Sequence, residues 1–121
     1  MKTEQTQQFR EVKEYNGWSN YPTWCVKLWL DNDEGTYNFW QDATKQHKQD
    51  APTCQQVKEG IWTVEQTVRF NLADQLKNEI TNNRPEQTAE QCGMYFDLMC
   101  WAFDYVNWNE IAKALIEEIT E

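Results

Sequence analysis

Apolar positions recur at three- and four-residue spacing through five stretches of the chain, and no stretch alternates with a period of two. In the first, Tyr21, Trp24, Cys25 and Leu28 fall on one stripe. Val26, Trp29 and Leu30 widen it, which predicts a central helix buried on most sides. Ser19 or Asn20 can cap this helix, with Pro22 tolerated in the first turn. Asp31-Asn32-Asp33-Glu34-Gly35 ends it and starts the next, where Asp33 can cap and Glu34 suits the positive helix start. Phe39, Trp40, Ala43 and His47 carry the second period to about Gln49. Ala51-Pro52-Thr53 breaks the pattern, and 50–62 reads as a polar loop or a short helical piece. Thr63-Val64-Glu65-Gln66 is a capping box. Behind it Val64, Val68, Leu72, Leu76 and Ile80 predict a strongly amphipathic third helix, which Asn82-Asn83-Arg84-Pro85 stops. A second box, Thr88-Ala89-Glu90-Gln91, opens a fourth, whose expected buried face is Cys92, Tyr95, Phe96, Met99, Phe103 and Val106. Asn107 caps a fifth with Glu110 at the third position, burying Trp108, Ile111, Ala112, Leu115 and Ile119. The expectation is an all-α, compact bundle of about five helices with no sheet. Residues 15–121 form a single helical domain, and 1–14, which lack periodicity, form a flexible N-terminal arm.

Composition agrees with a folded domain. Apolar residues are 40% of the 121 and aromatics 14%, enough for one core without metal or disulfide help. No run approaches the roughly 20 apolar residues of a membrane helix. The start, Met1-Lys2-Thr3-Glu4-Gln5, is too polar for a secretory signal. We therefore expect a cytoplasmic protein with no membrane partner. Cys25, Cys54, Cys92 and Cys100 form no close pair of the kind zinc sites use. They read as small buried hydrophobes in a reducing compartment.

The candidate chemistry is thin. Asp31, Asp33 and Asp42 fall at positions 1, 3 and 12 of a calcium-loop frame. Gly35 stands at the fifth position, where a ligand is needed, and Thr36 replaces the glycine of the sixth. A helix–helix turn with caps explains these aspartates better. His47 is the single histidine and sits beside Lys45 and Lys48 on a polar flank. Ser19, the only serine, is remote in sequence, and a cysteine partner for His47 would have to be supplied by folding. Four glycines in the whole chain leave no P-loop or dinucleotide fingerprint. We expect no enzyme, cofactor or metal.

Two boxes resemble a known family. Gly17-Trp18-Ser19-Asn20-Tyr21-Pro22-Thr23-Trp24, followed by an apolar helix and Asp31-Asn32-Asp33-Glu34-Gly35, resembles the Gly-Trp-x-Asn-Tyr-x-Thr-Trp signature of small acidic phage and plasmid proteins. Val106-Asn107-Trp108-Asn109-Glu110-Ile111-Ala112 resembles that family's Val-x-Trp-x-Glu-Ile-Ala end. The resemblance covers about a third of the chain and supports the helical reading. It implies no reaction. It does imply a mobile-element context, in which small acidic inhibitors of restriction and CRISPR nucleases are common.

Charge sharpens that implication. The net charge is −9; residues 86–121 hold eight acids against one base, Lys113, and carry −7 of it. Such a protein is repelled by nucleic-acid phosphates and drawn to basic surfaces. Asp97, Asp104, Glu110, Glu117, Glu118 and Glu121 are the candidate acidic face, able to copy a phosphate array on rigid helices. A plain solvated face is the alternative. Trp24, Trp40, Trp62 and Trp108 are expected in the core. Trp18 lies before the first helix, and Trp29 and Trp101 lie off-centre from their stripes; these three are the candidate aromatic anchors. The leading expectation is a non-enzymatic inhibitor, anti-CRISPR or anti-restriction in kind. It would bind a protein with a basic, nucleic-acid-binding surface and make no direct nucleic-acid contact. The alternative is a phage or plasmid regulatory adaptor that binds through exposed aromatics. A Cys–His enzyme ranks last.

Overall fold

A computed structural model describes residues 14–83 and 93–119. Its helices are α1 (Tyr21–Asn32), α2 (Glu34–Asp50), a 3₁₀ turn (Ala51–Thr53), the one-turn α3 (Gln55–Lys58), α4 (Val64–Asn82), α5 (Met94–Asp104) and α6 (Trp108–Ile119). Among the described residues there is no sheet, and the fold is all-α as the periodicity predicts. None of the described helices is long and apolar enough to cross a membrane. The arm assigned to 1–14 and the capping box at Thr88–Gln91 lie almost wholly outside the described residues.

The caps form as the sequence specifies. Asn20 Oδ1 accepts from the Thr23 amide at 2.9 Å and from its hydroxyl at 2.7 Å, which fixes the start of α1. Asp33 Oδ2 accepts from the Thr36 amide at 2.8 Å and its hydroxyl at 2.9 Å. These two hydrogen bonds hold the Asp33 carboxyl below its ordinary pKa. Asp33 is thus a helix cap, as the turn reading requires. Thr63 and Gln66 exchange reciprocal bonds of 3.0 Å at the start of α4, and Asn107 Oδ1 accepts the Glu110 amide at 3.0 Å at the start of α6. Ahead of α1, Tyr15 and Trp18 exchange two backbone bonds of 2.8 Å across Asn16-Gly17. Both central residues have positive φ, 51° and 87°, the geometry for which Asn-Gly is the preferred pair. The turn presses Tyr15 edge-on to Trp24, with ring centroids 4.9 Å apart.

The core lies between α4 and α6, which pack along each other. Leu72, Leu76, Ile111 and Leu115 are fully buried there, each worth about 1.5–3 kcal/mol of burial relative to exposure. Leu30 of α1, Trp40 of α2, and Val106 and Trp108 close the cluster.

Three expectations about faces need correction. The buried stripe of α1 is Thr23, Lys27 and Leu30, while Tyr21 is 50% exposed and Trp29 66%. Polar contacts to the C-terminal helix select this face. The Thr23 hydroxyl accepts the Asn107 amide at 2.8 Å, and Lys27 Nζ reaches Glu118 Oε2 at 2.8 Å. On α5 the stripe expected inside is split. Phe103 packs on the core and Val106 just beyond the helix is buried, but Tyr95 is 75% exposed and no residue of the helix is fully buried. Among the tryptophans, Trp40 and Trp108 are buried, whereas Trp24 and Trp62 are only half-buried; Trp62 meets the Phe70 ring edge-on at 5.0 Å. Phe39 and Val64 also face outward, at the margins of their stripes.

Candidate protein-docking face

Helix α5 is the unusual element. Nine of its eleven residues are apolar, and the other two are Asp97 and Asp104. A helix apolar all round is normally covered all round. Here only the inner side is covered. Met94, Tyr95, Leu98, Trp101 and the following Tyr105 are 40–75% exposed. At about 100° per residue these five fall within roughly a third of the circumference, centred on Leu98. Monomeric proteins rarely leave so contiguous an apolar patch open without a partner.

The patch continues onto α1. A groove of about 420 Å³ runs between the two helices, with Leu98, Trp101 and Ala102 on one wall and Tyr21, Cys25 and Val26 on the other. No lining residue of the groove is charged. Trp29 stands one turn past Cys25 on the same side of α1. The Trp101 and Tyr105 rings lie 4.6 Å apart, so each limits the other's rotamers and pre-orders the surface. The backbone beneath is tied to the body of the fold: the Asn20 side-chain amide donates to the Tyr105 carbonyl at 2.6 Å.

The structure treats the candidate residues unequally. Trp101 lines the groove at 45% exposure, and Trp29, 66% exposed, lies one turn beyond its lining residues on α1. Trp18 is half-buried and packs against the core cluster. Asp97 and Asp104 are exposed along one flank of the α5 stripe. Glu110 reaches back to the segment just ahead of α1, where its carboxylate accepts from the Ser19 hydroxyl at 2.6 Å and from the Ser19 amide at 3.2 Å. Glu118 accepts from Lys27 and, at 2.9 Å, from the Gln41 side chain. Glu117 is exposed on α6, and Glu121 lies outside the described residues. Glu110 therefore ties the segment ahead of α1 to α6, and Glu118 ties α1 and α2 to α6.

Leu98, Met94, Tyr95, Tyr21 and Tyr105 were not singled out from the sequence as surface residues. The available signal was the near-absence of polar residues from α5, which leaves some apolar side chains outside whichever face packs inward. As for chemistry, His47 is half-buried rather than solvated, with Nε2 2.7 Å from Gln75 Oε1. Cys25, Cys54 and Cys100 are free thiols. Among the described residues no three His, Cys, Asp or Glu side chains are placed to hold a metal ion.

The model of a family of unknown function, DUF7249, matches residues 11–121. No curated protein and no solved structure matches the chain.

Proposed function

Since the chain belongs to the DUF7249 family of unknown function, we propose a role from its surface: a non-enzymatic protein that binds another protein through the α1–α5 face. The observation that carries this reading is the row Met94, Tyr95, Leu98, Trp101 and Tyr105 left open beside an apolar groove. Aromatic and Met side chains supply much of the energy of protein interfaces and are enriched there over the remaining surface. This supports the adaptor alternative over a purely acidic contact. The test is capture from a bacterial lysate with the intact chain, with Leu98→Asp, and with Lys45→Ala as a control on another helix. A partner held by the intact chain and Lys45→Ala but lost by Leu98→Asp supports the reading. Identical capture by all three refutes it.

A second reading is an inhibitor that occupies the basic channel of a nucleic-acid-binding protein, as an anti-CRISPR or anti-restriction protein would. The charge of −7 over residues 86–121 favours it. Asp97 and Asp104 are exposed on α5, so it and the docking face share that helix. DNA competing with the chain for its partner would favour this reading; binding indifferent to DNA and to salt would remove it.

A further inference from the structure

We propose that the α1–α5 groove receives a single amphipathic helix of the partner, apolar along one face and basic along its edge. This rests on the docking role above and names the occupant. The first argument is shape. The groove lies between two helices, with Leu98, Trp101 and Ala102 at i, i+3 and i+4 facing Tyr21 and Cys25 at i and i+4. Side chains so spaced interdigitate with a third helix, whose own ridges recur every three or four residues. Helix-in-groove recognition uses anchors at i, i+3 or i+4, and i+7. An added strand would need an open sheet edge, and the described residues contain no sheet.

Charge identifies the occupant further. Asp97 and Asp104, seven residues apart, line the flank of α5 next to Trp101. α5 contains no lysine or arginine. The one base of α1, Lys27, is buried and bonded to Asp31 at 2.7 Å and Glu118 at 2.8 Å. Neither helix of the face thus presents an available cation; Asp97 stands on the flank beyond Trp101, while Asp104 also lines a separate hollow with Asp74 and Lys77 of α4. A second copy of the chain would bring the same carboxylates against their own kind. An acidic helix would be repelled in the same way. A helix with lysine or arginine beside its apolar row satisfies both the groove and its edge.

The test uses the full-length chain and three labelled synthetic helices, read by fluorescence anisotropy. One has leucine and phenylalanine at helical spacing with flanking lysines. The second replaces those lysines by glutamate. The third has the first one's composition with the spacing permuted. The basic helix is expected to bind saturably, the acidic one about tenfold more weakly or worse, and the permuted one not at all. Asp97→Asn with Asp104→Asn should narrow the gap between basic and acidic helices, and about 1 M salt, with a screening length of roughly 3 Å, should close it. Leu98→Asp, on a side chain already 58% exposed, should abolish binding while leaving the far-UV spectrum unchanged. Equal binding of the permuted helix, or stronger binding of the acidic one, overturns the proposal. So does a dimer in sedimentation that Leu98→Asp dissociates, which would make a second copy the occupant. If all three helices fail while a lysate partner is still lost on Leu98→Asp, the docking role stands and the helical occupant falls. If capture ignores Leu98→Asp, the docking role falls first.

Discussion

Lys27 gives the sharpest test of how the helices are held. Its side chain is 6% exposed, and Nζ lies 2.7 Å from Asp31 Oδ2 and 2.8 Å from Glu118 Oε2, joining α1 to α6. Burial alone would push the ammonium down; the two carboxylates outweigh burial and raise its pKa above the ordinary 10.5. Lys27→Met keeps the unbranched stem and removes the charge. The two carboxylate oxygens then face each other across at most the sum of those distances. Their repulsion is about 1–3 kcal/mol for an effective dielectric between that of water and that near a protein surface. Both carboxylates are 35–40% exposed and can rehydrate, so the lower end is expected. Asp31→Ala with Glu118→Ala instead leaves a buried ammonium with neither carboxylate partner, costing about 3–5 kcal/mol. Adding Lys27→Met to that pair should restore much of the loss, because an apolar trio carries no orphaned charge. Urea denaturation followed by far-UV circular dichroism at neutral pH measures all three. In the native chain the Lys27 contribution is fully present below pH 10.5 and is lost as pH rises through the higher folded-state value. In the double alanine variant burial acts alone and lowers the folded-state pKa, so stability should rise as the pH climbs from that lowered value to the ordinary 10.5 and level off above it. If Lys27→Met destabilises the double variant further, the lysine acts through packing of its stem and the charge argument is wrong.

Three further outcomes follow from burial and capping. Trp40→Ala, at a side chain 4% exposed, should cost about 3–5 kcal/mol, whereas Trp29→Ala, in the open, should stay within about 0.5 kcal/mol; urea midpoints decide, and similar losses would contradict the assigned faces. Asn20→Ala removes both the α1 cap and the bond to the Tyr105 carbonyl, so it should cost about 2 kcal/mol and increase amide hydrogen exchange in α5 as well as α1; an effect confined to α1 would mean that α5 is held by other means. Melting temperature should be unaffected by chelator or by reductant, and a chelator-induced drop of several degrees would reveal a metal site.

Local chemistry was the legible part of the fold. Thr63 with Gln66, Asn107 with Glu110, and Asp33 ahead of α2 are short-range patterns whose partners lie three residues away, and each forms as read. The α6 stripe was legible too, because one apolar face sits opposite a polar one, and in α4 Val68, Leu72 and Leu76 fall in the core as read while Val64 faces outward. The orientation of α1 and α5 was not. Both are apolar on most sides, so periodicity ranks no face above another, and the choice falls to contacts 84 to 91 residues apart in sequence: Thr23 with Asn107 and Lys27 with Glu118 for α1, and Asn20 with the Tyr105 carbonyl at the end of α5. The candidate site followed the same division. Trp29 and Trp101 stand out for lying off the centre of their stripes, whereas Tyr21 falls on the stripe and Leu98 among neither the core nor the anchor residues, so only the packing of the facing helix exposes them.

The orientation of α1 also bears on function. Turned by nearly half a circle, this helix would bury Tyr21, Cys25 and Trp29 and expose Thr23 and Lys27, the arrangement that apolar burial alone favours. It is held the other way by directional contacts: the Thr23 hydroxyl on the Asn107 amide, Lys27 on Glu118, and Asn20 on the Tyr105 carbonyl. Each of these is satisfied, and among the described residues no buried side-chain polar atom lacks a partner. A polar network of this kind fixes one rotation of a helix whose apolar residues would tolerate several. Its consequence is an aromatic row kept at the surface and facing α5. The same contacts that select the fold therefore assemble the docking face, and a substitution that frees the rotation of α1 would be expected to lose partner binding before it loses helix content.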